Sequence, residues 1–375
     1  MRKALCPAAV LCAAILSCAL TSAASADDST PAMQALIREA QAEGKVEVLL
    51  SGQVPAQLRP VMPLFQKKYG ITVNFQTGGG EQNGQRMLAE RRVGRYTLDV
   101  WLGGANTALV QLIPNKALVP VKDLLIDPEV TDVSKWYKGR HYYVDIEQQY
   151  IFAFGAQPLH TISYNTKLVK PDEIKSYFDL LDPKWNGKMV SWSPHVEGAG
   201  ILSVAMYLHP KIGEDWFIRW ARDMKVTIVN DVRQGAEWVA LGRFPLGIFG
   251  IGTQADKLRG EGFPIAGFFP HPMAEGEMLS NSATNIMAMD RAPNSKAAQL
   301  FVNWVLTREV QQEILKASGR SDSLRVDVDN SVVPEAYRRD PNIDYWVPFV
   351  EPRYQKEQTQ VINRLREIMK QYGHL

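Results

Sequence analysis

The chain has 375 residues, with 42 Lys and Arg against 40 Asp and Glu, and 46% of it is apolar. That length suits a large core divided over two domains, and so even a charge balance argues against a general nucleic-acid binder, which needs a basic surface. The cysteines Cys6, Cys12 and Cys18 all fall near the start, so the remainder carries no disulfide, thiol nucleophile or thiolate-bound metal.

The chain opens MRKALCPAAVLCAAILSCALTSAASA. Arg2 and Lys3 make a basic start, Ala8 to Leu20 an apolar centre, and Ala24-Ser25-Ala26 a small-x-small cleavage site. Together they predict a signal peptide over residues 1–26 and an exported protein. The alternative within it is lipidation at Cys18, because ILSC resembles a lipoprotein box in which Leu16 fits poorly. Loss of Arg2 and Lys3 leaves 40 basic and 40 acidic residues. No later apolar run approaches the roughly 18 residues that a membrane span requires.

Helix and strand signals then alternate. AMQALIREAQAEG reads as a helix and VEVLL (Val46 to Leu50) as a strand. AQLRPVMPLFQKKYG carries Leu58, Met62 and Phe65 at helical spacing, interrupted by Pro60 and Pro63. ITVNF reads as the second strand, GQRMLAERRVG as the next helix and LDVWL (Leu98 to Leu102) as the third strand. This alternation predicts an α/β fold with a parallel, doubly wound sheet. After Trp101 the rhythm loosens, and YIFAFGAQPLHTISYNTKLV is extended with Pro158 in its middle. A second alternating set runs from KMVSW through EGAGILSVAMYL, IGEDWFIRWARDM, VTIVN, RQGAEWVALGRF, LGIFGIG and FPIAGFF. TNIMAMD and the helices SKAAQLFVNWVL and REVQQEILKAS follow, and a charged helix from about Tyr354 to Tyr372 closes the chain. Two such sets without a low-complexity linker predict two lobes joined by strands.

Between the second strand and its helix stands NFQTGGGEQNG, a glycine-rich turn of the kind that cradles phosphate. Both phosphate motifs fail here. Asn83 stands where GxGxxG needs its third glycine, and Gln85 and Arg86 stand where a P-loop needs Lys and Ser or Thr. A glycine-rich turn still presents backbone N–H groups at a helix N-terminus, or is simply a tight turn. Related turns recur at LLSGQ (Ser51), LGGANT (Gly104, Asn106), SWSPH (Trp192, Ser193) and GIGTQ (Thr253). Each joins a strand end to small or polar residues and a helix. In open α/β sheets ligands bind beyond the carboxyl ends of the strands, so five such turns predict one pocket built from backbone and helix dipoles.

Catalytic and metal motifs are thin. No GxSxG and no HExxH occurs. His141, Asp145 and Glu147 read as a metal cluster or, better, as an alternating solvated strand. Ser191, Ser193, His195 and Glu197 lie in one short stretch, which reads as strand, cap and helix start rather than a triad.

Several segments carry a family resemblance: ISYNTKLV with Tyr164, DLLDPKWNGKM (Asp179 to Met189) and NSATNIMAMDRAPNSKAAQLFVNWVLTREVQQEIL (Asn281 to Leu315). VEVLLSG, YGITVNF and YTLDVWLGG add to it. The chain resembles the periplasmic solute-binding proteins of bacterial ABC importers. The similarity is to the type II cluster whose members bind ferric ion, thiamine, polyamines and phosphonates. The resemblance implies two α/β lobes, hinged by strands crossing near Tyr150–His160 and Pro264–Pro270, with one ligand between them. The first lobe would hold residues 27–152 and 271–318, and the second residues 153–270 and 319–375. It also implies a periplasmic monomer that delivers a small molecule to an inner-membrane permease, without catalysis or cofactor.

Ferric binders of that cluster carry a Tyr-Tyr pair shortly after the strand that here reads PLGIFGIG, and this chain has Phe249-Gly250-Ile251 instead. Fe³⁺ prefers anionic oxygen such as phenolate, so the expected ligand is a small organic anion: a carboxylate, phosphate or phosphonate. Ferric ion, a polyamine, or an exported hydrolase are the alternatives. The candidate ligand residues are Ser51, Gly79, Gly80, Gly104, Asn106, Tyr164, Trp192, Ser193, Glu197, Thr253, Ser282 and Thr284. Each has a plainer reading too: turn residues in the first lobe, helix caps at Ser193 and Glu197, and packing for Trp192 and Tyr164.

Overall fold

The structure is a computed structural model that describes residues 30–52, 58–196, 199–281, 284–318 and 321–375. Residues 1–29, with the expected signal peptide and Cys18, lie outside the described residues, as do Glu197 and Ser282. No helix among those described is long and apolar enough to cross a membrane.

The first sheet is built on the predicted apolar strands. Its members are β1 (Lys45–Ser51), β2 (Thr72–Gly78), β3 (Val100–Gly103), β4 (Leu118–Val119), β5 (Tyr142–Tyr143), β6 (Phe152–Ala153) and, much later in the chain, β14 (Asn285–Met289). The order is β2-β1-β3-β14-β6-β5, with β4 paired to β14. β1 lies parallel to β2 and β3, as alternation predicted, but β14 runs antiparallel to β3. The sheet is therefore mixed rather than wholly parallel. The reason is topological: β14 returns from the other lobe and enters at the edge where the first strands end. Register aligns that edge, with Ser51 opposite Gly78, and Asn285 opposite both Gly103 and Ala153.

The second sheet repeats the plan. It comprises β8 (Ile162–Asn165), β9 (Met189–Trp192), β10 (Thr227–Val229), β11 (Leu246–Ile248) and β12 (Ile265–Ala266), in the order β10-β9-β11-β8-β12. β9 to β11 are parallel, and β8, entering from the first lobe, runs against β11. Ile162 pairs with Ile248 and Trp192 with Val229, so these residues share the carboxyl edge.

A third, small sheet joins the two. β7 (Gly155–Pro158) pairs with β13 (Leu279–Ser280) and β15 (Asp322–Ser323), both antiparallel. The link over residues 154–161 leaves the carboxyl edge of one sheet at Ala153 and reaches that of the other at Ile162. Both edges thus border one cleft, the two-lobe arrangement that the strand alternation predicted. Gly155 has no room for a side chain: a Cβ there would lie 2.7 Å from Thr284 Oγ1 and 2.9 Å from the Asp322 carbonyl oxygen.

Each lobe has its own core. Leu50, Phe65, Trp101, Phe152 and Trp304 belong to the first, and Met189, Trp216, Trp220 and Phe249 to the second. Two expectations about the crossings differ from this packing. FPIAGFF does not cross: Ile265 pairs with Asn165 in β12, and Phe269 stacks on Tyr164 at 4.5 Å. Phe269, Met273 and Met278 stay in the second core, so the return falls at β13. Leu324, Tyr345 and Phe349 pack in the first core, although the sequence reading assigned residues from 319 onward to the second lobe. Trp346 and the helix Pro352–Gln371, through Leu365 and Ile368, pack against the second core. Buried ion pairs staple the returning segment. The fully buried Arg325 guanidinium lies 2.7 Å from Asp327 and 3.2 Å from Glu129, and the Arg339 side chain lies 3.4 Å from buried Asp322.

His160 closes the link. Its Nε2 donates to the Ala336 carbonyl at 2.9 Å and its ring stacks on Phe268 at 4.8 Å. Burial pushes its pKa down to about 4. The unfolded chain takes up this proton near 6.5 and the folded chain only near 4, so folding stability falls as pH drops through that window. Urea unfolding from pH 7 to pH 4 is expected to show a shallower loss in His160→Gln than in the natural chain. An identical slope in the two proteins would contradict the assignment.

Candidate functional site

The first-lobe rim of the cleft is made by strand ends. Ser51 ends β1, is 3% exposed, and its Oγ accepts the Trp101 indole N–H at 2.8 Å. A side chain on the neighbouring Gly103 would overlap that hydroxyl. Asn285 Nδ2 donates to the Gly103 carbonyl at 2.9 Å, and Asn285 Oδ1 accepts from Asn281 at 2.7 Å. The Thr284 hydroxyl donates to the Asn281 carbonyl at 2.7 Å. These bonds hold the return strand against the end of β3.

β2 runs further than the sequence suggested, into Gly78, and the helix Gly80–Arg92 begins two residues later. Gly79 caps it in an extended conformation without any side-chain hydrogen bond to the first turn. The first-turn amides are therefore left for water or a ligand. Gly80 serves packing: a Cβ there would meet Thr107 Oγ1 at 2.7 Å, and one at Gly84 would meet the same side chain at 2.7 Å. Gly104 differs, since a Cβ there would find no atom within 4 Å, and Asn106 beside it is exposed.

On the second lobe, Trp192 ends β9 half-buried, lying over Gly250, where a Cβ would sit 2.9 Å from its ring. Phe249 and Gly250 both have left-handed backbones, with φ 51° and 72°. This tight turn sends the chain from β11 into the short helix over Ile251–Gln254. The Thr253 hydroxyl donates to the Gly250 carbonyl at 2.7 Å and completes the turn. Ser193 is buried, donates its N–H to Val229 at 3.2 Å, and lies 3.0 Å from His195 Nδ1 through Oγ. Burial, and then the charge of Arg366, holds the His195 pKa below its ordinary value. The lowered pKa favours the neutral imidazole near pH 7, which shares one hydrogen bond with the Ser193 hydroxyl through Nδ1.

The register gathers Ser51, Gly79, Gly80, Gly104 and Thr284 at one strand-end edge, and Trp192, Ser193 and Thr253 at the other, with Asn106 in the short helix Ala105–Thr107 that follows Gly104. Tyr164 is a correction. It pairs with Leu246 at the far end of β11 and stacks on Phe269, so it packs the second core rather than facing the cleft. Asn285 and His195 were not among the predicted ligand residues. Asn285 is signalled only by its place four residues after Asn281. Among the described residues, no group of three His, Cys, Asp or Glu side chains lies at metal-binding distance.

Two α/β lobes joined by short crossing strands, with the carboxyl edges of both sheets on one cleft, make up the two-lobe fold of periplasmic binding proteins. The chain belongs to the bacterial extracellular solute-binding protein family, whose model matches residues 63–343. The iron uptake protein A1 of Synechocystis sp. is 25% identical over 259 residues, 66% of this chain and 67% of that one. The Trichodesmium IdiA (FutA) structure in complex with iron and citrate superposes with a TM-score of 0.63 at 18% identity, covering 88% of this chain and 100% of that one. The periplasmic binding protein AfuA from Actinobacillus pleuropneumoniae, with fructose-6-phosphate bound, gives a TM-score of 0.53 at 18% identity, covering 87% and 99%.

The Phe249–Gly250 turn is a sensitive point of this site. Gly250→Ala forces a side chain into a left-handed backbone and against Trp192, and is expected to lower the urea-unfolding free energy by about 1–2 kcal/mol. An unchanged midpoint would show that the turn is not under that constraint.

Proposed function

We propose that the protein is the periplasmic receptor of an ABC importer, exported by residues 1–26, and that it captures a small organic anion between its lobes for a membrane permease. One observation carries the ligand class: the uncapped N-terminus of the helix Gly80–Arg92 on the cleft edge. Backbone N–H groups and the helix dipole favour a carboxylate, phosphate or phosphonate there. Ser51, Gly104, Asn106, Ser193, Thr253 and Thr284 bring no charge of their own, and His195 adds a neutral imidazole. Trp192 supplies an apolar wall for the organic part.

Bare ferric ion fits this rim less well. The position of the family's phenolate pair is taken by Phe249, fully buried and stacked on Phe217 at 5.8 Å and 4°. The tyrosine pair that the chain does possess, Tyr142 and Tyr143, lies in β5 within the first core. Burial raises the pKa of both phenols, the opposite of what phenolate ligation requires. The iron and the sugar phosphate bound by similar proteins are those proteins' ligands; the uncapped helix N-terminus on this rim supports an anion here.

Ligand contacting both rims stabilises the closed arrangement by its differential affinity for it. Calorimetric titration of the mature chain with citrate, fructose 6-phosphate and phosphonates, beside ferric chloride and spermidine, tests the reading. One anion is expected to bind saturably without turnover, with a smaller radius of gyration in the complex. Trp192→Ala should weaken it about tenfold, or ~1.4 kcal/mol. Binding confined to ferric ion or spermidine would contradict the reading. Product formation lost in His195→Ala would replace it with the hydrolase.

A further inference from the structure

A cavity of about 420 Å³ lies beside the crossing link; Ile162, at the carboxyl edge of the second sheet, is part of its wall, but none of the ten described candidate ligand residues lines it. One wall is the link and the segment over residues 268–277 of the second lobe, and the other is the returning segment over residues 330–345. Apolar surface comes from Phe268, Phe269, Pro270 and Ile343.

The polar side of the cavity centres on Glu277. Its Oε1 accepts the Met273 amide at 2.9 Å, and the carboxylate has no ion-pair partner among the described residues. Two phenols, Tyr177 and Tyr345, line the same cavity and feel this carboxylate: after the larger effect of burial, its charge helps to raise the pKa of each. Burial likewise holds the Glu277 pKa above its ordinary value. A half-buried carboxylate is costly and a cation beside it lowers the cost; the charge of His271, on the same wall, offsets part of it without outweighing burial. The rest of the wall has the same bias. Glu335 and Asp340 add two carboxylates. Of the two arginines, Arg339 is already paired with Asp322, which leaves Arg338 and the imidazole of His271 to oppose them.

We propose that this cavity is a second ligand site, for a small organic ammonium compound whose charged head lies against Glu277 and whose carbon body lies against Phe268 and Phe269. Aromatic faces and a carboxylate together form the setting that retains such cations. This proposal does not rest on the anion reading of the cleft, so neither stands or falls with the other.

Choline and n-butylammonium, with 3,3-dimethylbutan-1-ol as the neutral isostere of choline, test it on the full mature chain by saturation-transfer NMR and calorimetry. The proposal expects saturable binding of at least one ammonium probe, little or none of the neutral isostere, and a loss of tenfold or more in Glu277→Gln. Glu277→Gln keeps an acceptor for the Met273 amide, and Trp192→Ala should leave the affinity unchanged. Equal binding of choline and its isostere, no binding of either ammonium, or undiminished binding in Glu277→Gln would overturn it. Were Glu277→Gln not to fold, the comparison of choline with its isostere on the natural chain decides alone.

Discussion

The whole arrangement depends on how little chain joins the lobes. The link over residues 154–161 runs from the carboxyl edge of one sheet to that of the other, and it is pinned on both flanks by β13 and β15. Those pairings leave no space at Gly155, which lies against Thr284 and the backbone of Asp322. Because the link starts and ends at strand ends, the two edges must look at each other. The direction of β14 and β8 follows from the same constraint, since each enters its sheet from the shared side. A ligand cleft is then a consequence of topology, and only its chemistry is left to the side chains.

That chemistry is mostly backbone. Ser51 is committed to Trp101, Asn285 to Gly103, Thr284 to Asn281 and Thr253 to Gly250. These hydroxyls and amides hold the turns in shape, and the shape exposes the amides that follow Gly79. The design suits a ligand that needs donors rather than charges. It is preorganised, because the polar groups that line it are already bonded to the scaffold. The contrast with the hinge-side cavity is one of sign: there the Glu277 carboxylate has no ion-pair partner among the described residues, and the proposed ligand brings the charge.

Much of this was readable from the residues. The apolar runs VEVLL, LDVWL and KMVSW became β1, β3 and β9, and the recurrent strand-end turns fell on the two edges. What was not readable depends on partners distant in sequence. Nothing in TNIMAMD tells that β14 lies antiparallel to β3. FPIAGFF has the composition of a crossing strand, yet stacking of Phe269 on Tyr164 keeps it in the second lobe. Gly80 looks like a ligand glycine in sequence and is a packing glycine beside Thr107 in space. Residues 324–350 lack a periodic pattern because buried ion pairs of Arg325 and Arg339, rather than an amphipathic face, hold part of them in place.

The most direct test is what the protein carries when it leaves its host. Native mass spectrometry on protein taken from the periplasm, followed by denaturing release, weighs and then identifies the bound species. The account predicts a single small organic acid, phosphate ester or phosphonate at one per chain, released from the natural protein and depleted in Trp192→Ala. Recovery of bare iron, or of a polyamine lost with the same substitution, would contradict it.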